Sequence, residues 1–170
     1  SNLWEIFLWQ HGAHREGLAL VVNYFILLLT NWNSYYEYLF TGFTIIISTL
    51  ILLIVKYSLF NYLAWFDVLI ILVNSTLYQY WNMVVVPNSS YAFFTLLLLY
   101  IYILAWLIKN PLIRTITVLI LNFLLVFSGY GIFISIVSLL IFLSLLFNNL
   151  NNTKLKLNYF LGVIVILLTL

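Results

Sequence analysis

The sequence predicts an all-α, polytopic membrane protein, and this prediction comes from its composition and from the pattern of its apolar runs. Of the 170 residues, 66% are hydrophobic and 6% are charged, and the mean hydropathy is +1.17. A water-soluble domain has roughly a quarter of its residues charged, so this chain has too few charges to cover a surface that faces water. The apolar runs also lack the period of two that strands of a membrane β-barrel show. Helices are then the structures that satisfy the backbone within a bilayer.

The chain divides into an amphipathic, interfacial N-terminal segment, residues 1–16, and a single transmembrane helical domain, residues 17–170. In the N-terminal segment, aromatic residues are mixed with charged residues, a pattern typical of a helix that lies in the membrane interface. Six to seven spans are expected in the domain, depending on how residues 112–147 fold. The other spans are predicted at Gly17–Trp32, Tyr38–Leu59, Tyr62–Val86, Tyr91–Ile108 and Tyr159–Leu170.

Short polar or turn-forming stretches separate the predicted spans. A tight turn is expected at Phe60–Asn61, and a loop at Pro87–Ser90, which has the residues typical of loops. Asn110 and Pro111 form an interhelix turn, in which Pro111 suits the first turn of the following helix. The asparagine-rich stretch Asn148–Asn158 (NNLNNTKLKLN) is predicted to be a polar loop before the last span.

Residues 112–147 form an apolar stretch whose length does not fit a single span. As one helix they would be about 54 Å long, against a hydrocarbon core of roughly 30 Å. As a hairpin that turns at Ser128–Gly131, they would form two spans of about 16 residues each. All six Lys and Arg residues of the chain would then lie on one side. The positive-inside rule favours this hairpin, and a long tilted helix is the alternative.

Ionisable groups are rare in the predicted spans, and each is therefore a candidate site. Lys56 and Asp67 flank the turn after the second span, so we expect them to pair at one membrane face. A proton or ion relay is the functional interpretation of this pair, and a snorkelling lysine with an interfacial acid partner is the structural one. Glu37 is interpreted as an interfacial anchor. No catalytic, cofactor-binding or metal-binding residue is predicted.

The two histidines of the chain, His11 and His14, have a spacing that places both on one face if the segment is helical. Such a pair is able to bind a metal ion or haem. Gly12 interrupts the pair and Arg15 follows it, which favours a solvated or partner-bound segment instead.

A helix break is the last candidate feature, and it is expected at Gly129, Tyr130 and Gly131. Transporters bind their substrates at broken helices near the middle of the membrane. These three residues are the one place in the sequence where such a break is predicted.

Cysteine content, net charge and the bias in residue usage limit the possible partners and indicate the kind of genome that encodes the chain. The chain has no cysteine, which excludes disulfides and thiolate metal sites. Its net charge of +2 is too small for a nucleic-acid partner. Fifteen Asn and twenty-one Ile, against two Arg and five Ala, match a genome with AT-rich codons. This bias predicts a mitochondrially encoded, multi-pass protein of the inner membrane, with the plasma membrane of an AT-rich bacterium as the alternative.

The stretch Phe93–Phe127, FFTLLLLYIYILAWLIKNPLIRTITVLILNFLLVF, resembles the start of NADH dehydrogenase subunit 6. In that family an apolar first span ends in a short Asn-Pro turn, which Asn110 and Pro111 match, and a second span rich in Val, Leu, Ile and Phe follows. Asn122–Phe123 corresponds to a polar-aromatic pair late in that second span. Gly129–Gly131 matches the family's Tyr-Val-Gly-Ala signature only weakly. The family's acidic residue before that signature is missing here.

The resemblance implies a non-catalytic subunit in the membrane arm of complex I, the proton-translocating NADH:ubiquinone oxidoreductase. There it would help to couple quinone reduction to proton translocation, without binding a redox cofactor itself. Other subunits of the complex and structural lipids such as cardiolipin are the expected partners. A lineage-specific structural subunit of complex III, complex IV or ATP synthase is a second hypothesis, and a small bacterial-type transporter is a third.

Overall fold

The computed structural model describes residues 2–8, 10–11, 14–15, 17–74, 89–128, 131–149 and 152–169. These residues are helical apart from turns and one pair of two-residue strands, so the predicted all-α class is confirmed. The described elements are α1 (Leu3–Phe7), β1 (Gln10–His11), β2 (His14–Arg15), α2 (Gly17–Leu29), α3 (Tyr35–Phe60), a 3₁₀ helix (Trp65–Asp67), α4 (Val68–Asn74), α5 (Ser89–Ala105), α6 (Pro111–Val126), α7 (Gly131–Asn148) and α8 (Thr153–Thr169).

The helices differ in length, and length decides how many can cross a membrane unaided. In the part of the chain that the structure describes, only α3, with 26 residues, is both long and apolar enough to do so. The other apolar helices are shorter, and α6 with its 16 residues extends only about 24 Å against a core of roughly 30 Å. By this criterion the described residues contain one full-length span, where the sequence predicts six to seven.

The boundaries of α2 and α5 differ from those predicted. α2 ends at Leu29 and not at Trp32, because Asn31 and Trp32 adopt left-handed backbone conformations with φ of 53° and 61°. α5 begins at Ser89, so the second half of the loop predicted at Pro87–Ser90 is already helical. Its first half lies outside the described residues.

The last helix also begins earlier than predicted. α8 starts at Thr153, inside the stretch Asn148–Asn158 that the sequence predicts to be a loop. Asn152 accepts a hydrogen bond from the Leu155 N–H at 3.2 Å and so caps the helix. Thr153, Lys154 and Lys156 are therefore exposed positions in the first turns of α8. In the predicted span Tyr62–Val86, only the 3₁₀ helix and α4 are described, and residues 75–86 lie outside the described part.

Residues 112–147 form a hairpin of α6 and α7, and the alternative of one long helix is wrong. The Asn122 side-chain amide donates to the Ser135 hydroxyl at 3.0 Å. In a continuous helix these two residues would be about 20 Å apart. The close return of the chain also requires a glycine at the start of α7. A Cβ at Gly131 would lie 2.1 Å from backbone atoms of Leu125 and Val126.

A core of buried side chains joins α5, α6, α7 and α8. Phe142 in α7 and Ile166 in α8 are completely buried at its centre. Gly162 lies against the Phe142 ring, where an added Cβ would be 3.0 Å from the nearest ring carbon. A small residue at this position lets the two helices approach closely. The other core residues are Leu98, Tyr102, Ala105, Val118, Leu121, Leu125, Tyr159 and Val163.

Helices α5 to α8 run alternately in opposite directions. The Thr95 hydroxyl, near the start of α5, donates to the Ser128 carbonyl, just after the end of α6. The Asn158 amide in α8 donates to the Pro111 carbonyl at 3.2 Å, so α6 and α8 begin at the same end of the bundle. α3 packs along α5 in the same direction, and the ring of Phe40 near its start lies 6.0 Å from that of Phe94.

The N-terminal elements pack at the end of the bundle where α6 finishes. The Phe7 ring stacks on the Phe127 ring with centroids 4.5 Å apart, and the Leu18 N–H donates to the Phe127 carbonyl at 2.9 Å. Arg15, in β2, is three residues before Leu18 and therefore lies at this end, opposite Lys109. The prediction that all six cationic residues share one side is thus wrong for Arg15, because α2 starts at the end where α6 stops.

Candidate functional site

The predicted pair, Lys56 and Asp67, is assembled where α3 ends and the chain reverses. α3 ends at Phe60, and Asn61 adopts a left-handed conformation (φ 58°), as expected for a tight turn there. The 3₁₀ helix Trp65–Asp67 then returns beside the last turns of α3, and the two charged side chains form an ion pair. Their side chains are 18% and 9% exposed, so the pair is largely shielded.

Both partners of this ion pair have further contacts that hold them in place. Asp67 also accepts a hydrogen bond from the Ala64 N–H at 2.7 Å. The Lys56 ammonium lies 5.3 Å from the ring centroid of Tyr62 and 5.1 Å from that of Phe66, within the range of cation–π attraction. The ammonium thus contacts the carboxylate and the faces of two aromatic rings.

A proton relay through this pair would need a further ionisable group within reach. In α3 the other acidic or basic side chain is Glu37, which accepts a hydrogen bond from the Asn23 side chain and so links α2 to α3. Glu37 is 19 residues before Lys56, a separation of about 28 Å along the helix. Within the described part of α3 and α4, no third acidic or basic side chain therefore lies within reach of the pair.

The predicted interhelix turn at Asn110 and Pro111 is the start of α6. The Asn110 side-chain oxygen accepts hydrogen bonds from the N–H groups of Leu112 (3.0 Å) and Ile113 (3.2 Å), so it caps the helix. Pro111 occupies the first helical position, where its missing N–H has no cost. The Asn-Pro pair on which the family resemblance depends thus has a local role in helix initiation.

The predicted helix break lies between α6 and α7. Gly131 begins α7, while Gly129 and Tyr130 lie outside the described residues. Gly131 is thus the first residue of the second arm of a hairpin. The structure does not place it in the interior of an interrupted helix.

A buried polar network, which the sequence analysis did not single out, joins α5, α6 and α7. Asn122 donates to Ser135 and accepts from the Ser138 hydroxyl at 2.9 Å. The Tyr102 hydroxyl lies 2.7 Å from the Ser138 hydroxyl. All four residues are at most 4% exposed. The signal in the sequence was the recurrence of single polar residues within apolar helices, and such residues commonly link helices in membranes.

The two histidines lie in the short strand pair and not on a helix. His11 in β1 is directly opposite His14 in β2 in the antiparallel register. No group of three or more His, Cys, Asp or Glu residues able to hold a metal ion occurs among the described residues.

No family model, curated protein or solved structure matches this chain.

The clearest charge feature is at the end of the bundle where α6 and α8 begin. Four of the cationic side chains lie there, and we call them the basic end: Lys109, Arg114, Lys154 and Lys156. Of the described acidic residues, Asp67 is paired with Lys56, while Glu5 in α1 and Glu37 near the start of α3 lie toward the opposite end. The basic end thus has no carboxylate partner among the described residues.

Proposed function

We propose that the chain is a membrane-embedded, non-catalytic subunit of a mitochondrial respiratory-chain complex, in the proton-translocating membrane arm of complex I. The membrane part of this proposal is carried by the burial of small polar side chains on helices that expose large apolar side chains. In α7, Ser135 and Ser138 are completely buried, while Phe133 and Leu140 are 66% and 61% exposed. A helix in water would bury the aromatic and aliphatic side chains and expose the serines.

The same reversal occurs in α3, the longest helix. Thr41, Thr44 and Ser48 are buried against the bundle, and large apolar side chains on the opposite face of the same helix are exposed. Exposed apolar patches of this extent mark a surface that another apolar phase covers. The exposed residues on this face of α3 are Phe43, Ile46, Ile47, Leu50 and Ile54.

The proposal includes six to seven spans, although most helices are short. A short hydrophobic helix can cross a bilayer where neighbouring protein covers it or where the bilayer is thinner. The buried core of α5 to α8 supports this, because each of these helices has neighbours within the chain. The basic end would face the matrix of the mitochondrion, following the positive-inside rule.

The assignment to complex I is supported by the resemblance of Phe93–Phe127 to subunit 6 and by the AT-rich codon bias of the composition. A non-catalytic role is consistent with the uncharged hydrogen-bond network around Asn122 and with the ion pair of Lys56 and Asp67. Both features join helices, and neither presents a reactive group to a substrate. We expect such a chain to be one subunit of a larger complex and to contact other subunits and lipids.

Native electrophoresis of detergent-solubilised membranes, with mass spectrometry of each band, tests this proposal. We expect peptides of the chain in the band that has NADH dehydrogenase activity. Migration with the bc1 complex, cytochrome oxidase or ATP synthase would refute the complex I assignment and leave a structural subunit of that complex. Migration as a free chain would refute the subunit role and favour a small transporter.

A second candidate function, a purely structural subunit, is favoured by the isolation of the Lys56–Asp67 pair. The variants Lys56→Gln and Asp67→Asn separate the two roles, and Glu37→Gln is the matched control because it removes a charge far from the pair. A coupling role predicts fewer protons translocated per electron in the first two variants alone. An unchanged ratio in assembled complexes of both variants would leave only the structural role.

A further inference from the structure

Helix α2, which the sequence predicts to be the first span, has both of its neighbouring elements at one end of the bundle. At its start, the Leu18 N–H donates at 2.9 Å to the carbonyl of Phe127, the residue that follows α6. After α2 the chain enters α3, where the Phe40 ring lies 6.0 Å from the Phe94 ring near the start of α5. Because α5 and α6 are antiparallel, the start of α5 lies beside the end of α6. α2 therefore leaves from, and returns to, the end where α6 stops.

A contact in the middle of α2 shows that this helix does not cross the bundle in between. The Asn23 amide donates to the carboxylate of Glu37. Glu37 is three residues before Phe40 and so lies about 4–5 Å outward of it along α3. A crossing helix would carry Asn23 about 7–8 Å inward from Leu18. The two residues would then be about 12 Å apart along the bundle axis, in addition to the 8–10 Å between packed helices. An asparagine and a glutamate side chain cannot bridge that separation.

The short connection between α2 and α3 leads to the same conclusion. A crossing α2 would leave Leu29 about 24 Å from Tyr35 along the bundle axis. The chain between these two residues reaches only roughly 20 Å even when fully extended. It is in fact tightly folded, because the Trp32 N–H donates to the Leu27 carbonyl at 2.7 Å and Asn31 has a left-handed conformation. α2 thus stays at the end of the bundle where it begins.

Exposed aromatic side chains mark this end of the bundle. Trp4 in α1 is exposed and stacks on Phe7, which in turn stacks on Phe127. Trp32 and Tyr35, where α2 connects to α3, are also exposed. Tryptophan and tyrosine are enriched where a membrane meets water. The aromatic residues on both sides of α2 therefore place this helix at the level of the membrane interface.

α2 also has an exposed apolar face of its own. Phe25, Leu28 and Leu29 are three or four residues apart and so share one face of the helix, and Leu29 is 81% exposed. A helix at the interface buries such a face about 5–10 Å into the boundary between headgroups and acyl chains. This face is continuous with the exposed Trp32 and Tyr35, which suit the same boundary.

We propose that α1 and α2 form a membrane-surface element, in which Phe25, Leu28 and Leu29 contact lipid at the boundary between headgroups and acyl chains. α2 is then not a span, and six spans remain in the proposed function. The inference rests on the membrane placement in that proposal and not on which complex contains the chain.

Paired cysteines test whether the two ends of α2 lie on the same side of the membrane. The chain has no cysteine, and Asn2 and Ser34 are exposed positions before and after α2. The double variant Asn2→Cys with Ser34→Cys is reconstituted into sealed vesicles of phosphatidylcholine and phosphatidylglycerol and treated with a membrane-impermeant maleimide. Intact mass spectrometry then counts the adducts on each molecule, so the result does not depend on how the molecules are oriented. The control, Ser34→Cys with Lys109→Cys, has its cysteines at opposite ends of the bundle and does not depend on α2.

We expect each molecule with Asn2→Cys and Ser34→Cys to carry two adducts or none, and each control molecule to carry one. A single adduct on the molecules of both variants would make α2 a span and overturn this inference alone. Two adducts or none on the control molecules would refute the crossing of the bundle, and with it the proposed function.

The depth of α2 in the membrane tests the lipid contact itself. A fluorescent label on Leu29→Cys is compared with one on Leu50→Cys, an exposed position in the interior of α3. The vesicles contain lipids with a doxyl quencher either near the headgroup or near the end of an acyl chain. Because interfacial helices lie shallow, the quencher near the headgroup should quench the Leu29→Cys label roughly twofold more strongly than the deep quencher. The label on Leu50→Cys should show the reverse order. Stronger quenching of the Leu29→Cys label by the deep quencher would overturn the inference. So would the absence of quenching by either lipid, because protein or water would then cover this face.

Discussion

The hairpin of α6 and α7 can be tested by adding a single methyl group to the first residue of α7. Gly131→Ala places a Cβ 2.1 Å from the carbonyl carbon and oxygen of Leu125 and the nitrogen of Val126. Non-bonded carbon atoms rest at about 3.5 Å or more, so the turn must open by more than an ångström. The atoms that would have to move belong to the helix backbone, and Leu125 and Val126 are both buried.

The expected cost follows from the fact that no flexible side chain can move aside. Overpacking of a well-packed site costs typically about 1–3 kcal/mol, and contact with backbone places Gly131→Ala near the upper limit. Gly42→Ala is the matched control, because a Cβ at this position of α3 meets no atom within 4 Å. Alanine in a helix interior is favoured over glycine by roughly 0.5–1 kcal/mol. The two identical substitutions should therefore change the free energy of unfolding in opposite directions.

The assay is equilibrium unfolding of the chain in mixed micelles by increasing mole fraction of a denaturing detergent, followed by the fluorescence of its six tryptophans. We expect Gly131→Ala to lower the midpoint and Gly42→Ala to maintain or raise it. The reasoning would be refuted if Gly131→Ala were as stable as Gly42→Ala, because α7 would then not begin at such a close approach to α6.

Three further substitutions can be measured in the same assay. Asn122→Leu should lower the free energy of unfolding by about 1–2 kcal/mol, because it leaves buried serines with fewer hydrogen-bond partners. Unchanged stability would show that the network does not stabilise the fold. Asn110→Ala should cost about 1 kcal/mol through the lost cap, whereas Asn110→Asp should be nearly neutral, and equal losses in both would exclude capping. Phe142→Ala should cost about 3–5 kcal/mol by opening a cavity in the core, and a loss below 1 kcal/mol would contradict the described packing.

Several features could be predicted from the sequence because they depend on local chemistry or on charge. The Asn-Pro signal predicts the start of α6, since capping by Asn110 and the fixed φ of Pro111 act within one helical turn. The placement of Lys and Arg favours the hairpin of residues 112–147 over a single helix, and the hairpin forms although Arg15 lies at the opposite end. The contact between Lys56 and Asp67 was expected because both flank a tight turn.

Other features depend on tertiary contacts that no local pattern contains. The position of Arg15 follows from the docking of α2 beside Phe127, a contact between residues far apart in the sequence. The network around Asn122 arises only when three helices bring their single polar residues together. The asparagine-rich composition of Asn148–Asn158 predicts a loop, but α8 already begins at Thr153, since lysine is compatible with exposed helical positions.

The central claim, a helical bundle that crosses a membrane with its basic end on one side, is tested most directly by the sidedness of two single cysteines. The chain has no cysteine of its own, so Asn2→Cys and Lys109→Cys each report one exposed position, at opposite ends of the bundle. In sealed vesicles, a membrane-impermeant maleimide should label one variant from outside and the other only after the vesicles are opened. Labelling of both from the same side, or recovery of the chain in the soluble fraction, would contradict the account.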